Sequence, residues 1–248
     1  MAEEFSVRDK SILVGLYFSK FDEEAIHALG FERSREAFNT IGYAIGSKPA
    51  SIKNYRDEFD PYFPNPRKGW HKRELRDYCR VFLEQFGQLP FQKFTDLIKS
   101  FVYADFEIQK FIAQTEKRDF TEAVARRQLT GIAAEEYFRA NFQDIPIFGS
   151  FTLTDTTKNA CGFDFKLDNA DAYYCVEVKG LNAARGSVSM TEKEYITAQN
   201  LKERYCLFIV SNFIEKPLHA YYLNPLESQL SFSKVERQII QTSYNTHI

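Results

Sequence analysis

The sequence predicts an α/β protein of the α+β type, in which an all-α N-terminal domain precedes a central mixed β-sheet flanked by helices. Two patterns carry this prediction. Apolar residues recur at helical spacing through about the first 115 residues. From residue 116 onwards a long helical pattern leads into short strand patterns, and a second helical pattern separates these from two more strands. We therefore expect a helical domain at 1–115 and an α/β domain at 116–248.

The composition argues against several classes of protein. With 44% hydrophobic residues, the 248-residue chain can bury a sizeable core, and no apolar run approaches the roughly 20 residues that span a bilayer. Because the net charge is −2, any contact with nucleic acid must use a local basic patch. The cysteines and histidines form no zinc-binding pattern, and no glycine-rich phosphate loop is present. The charged N-terminus has no signal-peptide core, so we expect a cytoplasmic protein without membrane contact.

Each element follows from its own spacing. Helical spacing in the N-terminal part defines five segments: 9–30, 34–46, 48–63, 73–87 and 91–114. In the C-terminal part it defines two, 119–142 and 190–204, and the second of these opens with the capping box Thr191-x-x-Glu194. Strand patterns fall at 147–155, 162–168, 172–180, 186–190, 205–213 and 218–224. From about Leu226 the tail is expected to be irregular or helical.

The end of the strand at 172–180 suggests a catalytic site. Because successive side chains of a strand face opposite sides, Val176 and Val178 should point into the core while Glu177 and Lys179 share the other face. A hairpin after Asp164 would bring its carboxylate beside that of Glu177. Two close carboxylates repel each other unless a cation lies between them, and Mg²⁺ favours such ligands. Lys179 would then lie beside the metal-bound water and the scissile phosphate.

The same three residues also have a simpler interpretation. An Asp followed later by Glu-x-Lys occurs by chance in many chains, and an exposed Glu/Lys pair is a common solubility device on an edge strand. What favours catalysis is the context: the pair lies between a buried strand and a glycine, and a helix rich in acids precedes the strands.

With this context, residues 120–222 resemble the PD-(D/E)xK nuclease superfamily, whose core is the restriction-endonuclease-like fold. The resemblance is closest to the domain named after the plant protein NO VEIN, which also occurs in bacterial restriction and defence proteins. The pieces that carry the resemblance are TGIAAEEYF, GFDF, YYCVEVKG, SVSMTEKEYITAQ and YCLFIVSN. The chain departs from the superfamily pattern at Phe163, where the motif has proline.

The resemblance implies a role for each matching residue. Asp164 and Glu177 match the metal-binding acids, and Lys179 matches the catalytic lysine. Glu135 matches a glutamate that the family often carries four residues after a glycine, although the adjacent Glu136 is an alternative. Gln199, on the helix that follows, would contact the DNA backbone or would simply be solvated. The implied cofactor is Mg²⁺, as one or two ions.

The N-terminal half contains a helix-turn-helix-like pattern between residues 36 and 63. In such a unit the second helix enters the major groove of DNA. The candidate DNA-contacting residues on that helix are Ser51, Lys53, Asn54 and Arg56. A basic stretch around Trp70 adds candidates that would hold phosphates: Arg67, Lys68, His71, Lys72 and Arg73. Residues 35–85 also resemble N-terminal segments fused to NO VEIN-type domains in bacteria.

The pattern in the N-terminal half can also be explained without DNA binding. Two short helices joined at a glycine are common in helical domains, and the acids at 57, 58 and 60 dilute the positive charge. Taken together, the two halves predict a type II-like restriction endonuclease that cleaves double-stranded DNA at a specific site, as a homodimer. The alternatives are a DNA-binding regulator with an inactive nuclease fold, and a nuclease that acts on RNA or branched DNA.

Overall fold

The structure, a computed structural model, describes residues 5–70, 72–103 and 118–236. For residues 118–123 it describes the backbone alone. These residues form α-helices and one five-stranded mixed sheet. The helices are α1 (Val7–Ala28), α2 (Ser34–Ala44), α3 (Pro49–Phe59), α4 (Asp77–Phe86), α5 (Phe91–Val102), α6 (Arg118–Asn141) and α7 (Glu192–Leu201). The strands are β1 (Thr152–Asp155), β2 (Phe165–Asp168), β3 (Tyr173–Gly180), β4 (Tyr205–Ser211) and β5 (Leu218–Leu223). The predicted fold class is confirmed.

The strands lie in the order β1-β2-β3-β4-β5. Every neighbouring pair is antiparallel except β3 and β4, which are parallel and joined by a crossover that contains α7. A parallel pair needs such a crossover connection, commonly a helix. The central strand is therefore β3, and its end lies next to the crossover that contains α7.

Three sequence predictions need correction. The predicted strand at 162–168 begins only at Phe165, so Asp164 lies just before β2 and not on it. Residues 186–190, predicted as a strand, form an irregular loop between β3 and α7. Both sides of β3 are occupied by β2 and β4, so this short segment has no neighbouring strand edge to pair with. The first strand is also shorter than predicted, because turns occupy residues 145–150. The second half of the predicted helix at 91–114 and the domain boundary near 116 lie outside the described residues, as does the tail beyond 236.

Helix α6 joins two hydrophobic cores. Ala125 and Leu129, on its first half, are buried with the N-terminal helices. Ala133 and Phe138, on its second half, are buried against the sheet. The ring of Phe138 lies 4.8 Å from that of Phe208 on β4, centroid to centroid. The helix therefore holds the sheet against the N-terminal helices, and residues on its second half are fixed relative to β3.

Helix α2 adds polar contacts between the two halves of the chain. The side-chain amide of Asn39 donates to the carbonyl of Phe213 at 2.7 Å and to that of Glu215 at 3.1 Å. The buried carboxylate of Glu36 accepts a hydrogen bond of 2.7 Å from Asn182, just after β3. These contacts tie the N-terminal helices to the loops that follow β3 and β4.

Candidate active site

The two faces of β3 have opposite chemistry, as the alternation of its residues predicts. Val176 and Val178 are buried in the core between the sheet and α6. Glu177 and Lys179 lie on the other face, where the Lys179 ammonium is 2.6 Å from a carboxylate oxygen of Glu177. Glu177 is only 4% exposed, so its charge is far from bulk water. Such a group needs a charged partner inside the fold.

Asp164 lies beside Glu177 across the β2–β3 hairpin. Its backbone N–H donates to the carbonyl of Val176 at 2.9 Å, and its carboxylate accepts the N–H of Val178 at 2.8 Å. These two bonds flank Glu177 along β3 and hold the Asp164 carboxylate next to it. The structure thus brings together the two acids and the lysine of the predicted site.

Two glycines allow the elements of the site to approach closely. Gly162 precedes the hairpin with a φ of +93°, and a Cβ atom there would lie 2.4 Å from the hydroxyl of Thr197 on α7. Gly180 follows Lys179, and a Cβ atom there would lie 2.6 Å from the carbonyl of Thr130 on α6. Glycine is the residue that tolerates both a positive φ and so short a backbone contact. The site is therefore packed between α6 and α7.

Glu194 is a member of the site that sequence reasoning missed. One of its oxygens accepts a hydrogen bond of 2.8 Å from the Lys179 ammonium, so this lysine bridges Glu177 and Glu194. The same oxygen accepts the backbone N–H of Thr191 at 2.9 Å, which completes the predicted capping box of α7. The capping box was the only signal in the sequence, and it gave Glu194 a purely local explanation.

Burial and mutual repulsion raise the pKa values of the acids. Burial, and then the charge of Asp164, raise the pKa of Glu177 to about 8, although Lys179 opposes the shift. Burial also raises the pKa of Asp164, against the Val178 N–H and the charge of Lys179. For Lys179 burial works towards a lower pKa, but its two carboxylate partners outweigh it and the pKa is raised. Negative charge at this site is thus costly without a cation.

The two adjacent glutamates on α6 have different surroundings. Burial, followed by the charge of Asp164, raises the pKa of Glu135 to about 7. Glu136 instead accepts a hydrogen bond of 3.1 Å from Arg139, which also binds Asp155 at 2.8 Å. Glu135 is therefore the one that shares the electrostatic environment of Asp164, and Glu136 belongs to a neighbouring ion-pair network.

The carboxylates of the site can be compared with the ligands that Mg²⁺, the implied cofactor, prefers. Within the described part of the chain, no three Asp, Glu, His or Cys side chains form a ready-made metal cluster. Mg²⁺ does not require one, since it usually takes one or two carboxylates and completes its shell with waters and phosphate oxygens. Asp164 and Glu177 supply two adjacent carboxylates whose pKa values are raised by burial and, for Glu177, also by the charge of Asp164. The residues therefore fit a hard divalent cation that also binds a phosphate.

The predicted DNA-contacting residues on α3 differ in their exposure to solvent and in whether they already form an ion pair. Helices α2 and α3 are joined by a four-residue turn, 45–48, as the helix-turn-helix-like pattern predicts. Asn54 is exposed and Ser51 is half-buried. Lys53 is exposed but pairs with Asp57 at 2.6 Å, and the largely buried Arg56 binds the same carboxylate at 2.7 Å.

The basic loop after α3 contains both structural and exposed cations. Arg67 is held by Asp60 at 2.9 Å and by Asp22, and Arg73 lies over the ring of Trp70 at 4.2 Å. Arg73 also pairs with Glu58 at 3.3 Å. Lys68, Lys72 and Arg73 are exposed, and His71 lies outside the described residues. A cavity of about 550 Å³ is lined by Gly69, Trp70, Lys72 and Arg73.

The predicted DNA-contacting residue of the C-terminal half, Gln199, is exposed on α7.

The architecture and a family match identify the class of the C-terminal domain. A mixed sheet, flanked by α6 and α7 and containing the parallel pair β3 and β4, presents Glu177 and Lys179 on β3 and Asp164 just before β2. Residues 134–223 match the family model described as Protein NO VEIN, C-terminal, which marks this segment as a nuclease-like domain. The predicted resemblance is therefore confirmed over that segment. The N-terminal helix-turn-helix-like module lies outside it and stays a prediction.

Two other comparisons add no relative. No curated protein and no solved structure matches the chain. Throughout the described ranges, the helices are too short or too polar to cross a bilayer.

The raised pKa of Glu135 predicts a pH-dependent stability of the metal-free protein. Its folded-state pKa of about 7 exceeds the ordinary glutamate value of 4.5, so its contribution to the free energy of unfolding is fully present below about pH 4.5 and is lost as the pH rises through 7. Glu135→Gln should remove this loss, making the variant relatively more stable at pH 8 by up to about 3 kcal/mol. Urea unfolding in EDTA from pH 5 to 8 measures the effect. Glu136→Gln is the control. If the free energy of unfolding depends on pH equally in Glu135→Gln and in wild type, the pKa of Glu135 is not raised by its surroundings.

Proposed function

We propose that the protein is a metal-dependent endodeoxyribonuclease that hydrolyses phosphodiester bonds in double-stranded DNA, as a type II-like restriction endonuclease does. The observation that carries this proposal is the arrangement at the β2–β3 hairpin. There the carboxylate of Asp164 is bonded to the N–H of Val178 at 2.8 Å, and the Lys179 ammonium lies 2.6 Å from Glu177. The family match over residues 134–223 supports the same chemistry.

Each site residue has a role in this reaction. Asp164 and Glu177 would hold Mg²⁺, as one or two ions, and Glu135 would support them from α6. Bound Mg²⁺ supplies Lewis acidity towards the phosphate and lowers the pKa of a bound water. Lys179 would orient the attacking water and offset the negative charge that develops on the phosphate oxygens.

The N-terminal half would bind the DNA. Ser51 and Asn54 on α3 are the candidates for contact with base edges, and Lys68 and Lys72 are the candidates for contact with phosphates. Arg56 and Arg67 are held by carboxylates of the fold, so we assign them to the support of α3 and its following loop. Gln199 would add a backbone contact from α7.

The two exposed lysines give a prediction about DNA affinity. Each phosphate contact contributes about 0.9 to the slope of log affinity against log salt. Replacing both Lys68 and Lys72 by alanine should lower that slope by about 2 and weaken binding to all sequences alike. Fluorescence anisotropy with a labelled duplex at several salt concentrations measures it. Lys93→Ala/Lys216→Ala removes equal charge from exposed positions elsewhere, and an identical slope change in that variant would leave no special role for the basic loop.

The proposal is tested by incubating wild-type protein with supercoiled plasmid in Mg²⁺ or in EDTA. The expected result is linear DNA in Mg²⁺ alone, with defined ends on sequencing. Cleavage of both strands at one site also implies two active sites, so we expect a homodimer in sedimentation analysis.

The choice of substrate is tested separately. Methylated and unmethylated DNA should be compared, and structured RNA and branched DNA should be included. If the protein cleaves only the structured RNA or the branched DNA, its substrate is that nucleic acid and not ordinary duplex DNA.

A second function, DNA binding without cleavage, is favoured by one observation. Lys179 is already paired with both Glu177 and Glu194. A protein fixed in this arrangement would act as a regulator. Tight, salt-dependent binding of duplex DNA, with no cleavage of any substrate in Mg²⁺ or Mn²⁺, would support this function over the first.

A further inference from the structure

The Lys179 ammonium has two carboxylate partners, and the proposed reaction accounts for only one of them. It lies 2.6 Å from Glu177 and 2.8 Å from Glu194. The side chain of Glu177 is 5% exposed and that of Glu194 is 15% exposed, so both ion pairs are shielded from solvent. If Glu177 serves as a metal ligand, its charge is shared with the cation. Lys179 then depends on Glu194 for its position.

We propose that Glu194 is a positioning residue that keeps Lys179 in place beside the scissile phosphate while Glu177 is engaged by the metal. This inference rests on the proposed function. It assigns to the first turn of α7 a role in the reaction, in addition to its role in starting the helix.

The geometry of Glu194 suits this role. Its carboxylate is fixed by the backbone N–H of Thr191 at 2.9 Å, and its own N–H donates to the hydroxyl of Thr191 at 3.3 Å. A carboxylate held in a capping box has little rotational freedom, and the positive end of the helix dipole favours its charge. Burial works towards a higher pKa for Glu194, but the Lys179 ammonium and the Thr191 N–H outweigh it, so the pKa is lowered. Glu194 is therefore a fixed anion towards which Lys179 points.

The competing explanation is that Glu194 acts only as a helix cap. The two roles can be separated within the capping box. Thr191→Ala removes the hydroxyl that receives the Glu194 N–H, but leaves the Glu194 carboxylate beside Lys179. Glu194→Gln keeps an oxygen that can accept the N–H of Thr191, but removes the charge beside Lys179. Glu192→Gln, in the same turn and exposed, is the control for loss of one acid.

The first test does not depend on activity. Purified protein is treated with an amine-reactive acylating reagent, without metal and with Ca²⁺, and modification of Lys179 is followed by mass spectrometry. We expect Glu194→Gln to raise the rate of Lys179 modification by about tenfold, with the larger change in Ca²⁺. Thr191→Ala and Glu192→Gln should remain near the wild-type rate. Equal rates for Glu194→Gln and Thr191→Ala would overturn the proposal, and circular dichroism confirms that each variant is folded.

The second test separates this inference from the proposed nuclease. On plasmid DNA with Mg²⁺, Glu194→Gln should lower kcat by at least about tenfold with little change in KM, whereas Glu194→Asp should recover part of the loss. If wild-type protein cuts no substrate, the nuclease proposal fails, and the role of Glu194 in the reaction fails with it. If wild type cuts and Glu194→Gln cuts equally fast, the nuclease stands and the role of Glu194 alone is refuted.

Discussion

Asp164→Asn is expected to lower Mg²⁺-dependent cleavage of plasmid DNA by at least about 100-fold, with no loss of folded structure. Asparagine has nearly the same shape, and its amide oxygen can still accept the N–H of Val178 that Asp164 accepts at 2.8 Å. What is removed is the negative charge beside Glu177. With that charge gone, the pair of carboxylates needed to hold the cation is incomplete.

The matched control is Asp168→Asn, at the other end of β2 from Asp164. Asp168 is half-exposed and pairs with Lys166 at 2.9 Å, away from the β3 acids. This variant should cut at the wild-type rate. Lys179→Met gives a further separation, because it should abolish cleavage but leave the two metal-binding acids in place. Cleavage that survives in both Asp164→Asn and Lys179→Met would reject the assignment of these residues to the active site.

Phe138→Ala is expected to destabilise the protein by about 3–5 kcal/mol. Phe138 is fully buried on α6, and its ring lies 4.8 Å from Phe208 and 5.3 Å from Phe165, centroid to centroid. Truncation would leave a cavity between α6 and the two strands that adjoin β3. Chemical unfolding with urea measures the loss. Ile196→Ala, at a position 47% exposed on α7, should cost less than about 1 kcal/mol. Similar losses for the two variants would contradict the packing of α6 on the sheet.

Local patterns predicted much of this fold. The helices α1 to α4 and both long strands follow the spacing of their apolar residues, because that spacing reflects which face is buried. The two faces of β3 could also be predicted, since a strand has a period of two and Val176 and Val178 needed a core. The capping box at Thr191 and Glu194 was likewise predicted and is present. These features depend on residues close together in the chain.

Features that depend on distant residues could not be predicted in this way. The contact of Glu194 with Lys179 requires α7 to pack beside β3, and nothing local to either residue indicates it. The same holds for Arg67, which resembles a phosphate-binding residue in the sequence but is paired with Asp22 and Asp60. The loop at 186–190 alternates like a strand, yet both sides of the preceding strand, β3, are already occupied by β2 and β4.

The choice between Glu135 and Glu136 shows the same limit. The two acids are adjacent on a helix, so either one satisfies the spacing from Gly131. Their surroundings differ because successive helical positions face directions about 100° apart. Burial and Asp164 raise the pKa of Glu135, whereas Arg139 binds Glu136.

The central claim is that Asp164 and Glu177 together hold a divalent cation beside Lys179. Calorimetric titration of Mn²⁺ into the protein bound to a short uncleavable duplex tests this claim directly, because it does not require turnover. The account predicts saturable binding of one or two ions by wild type and by Asp168→Asn, and a loss of that binding in Asp164→Asn and in Glu177→Gln. Isotherms that are the same for wild type and the two site variants would contradict the claim.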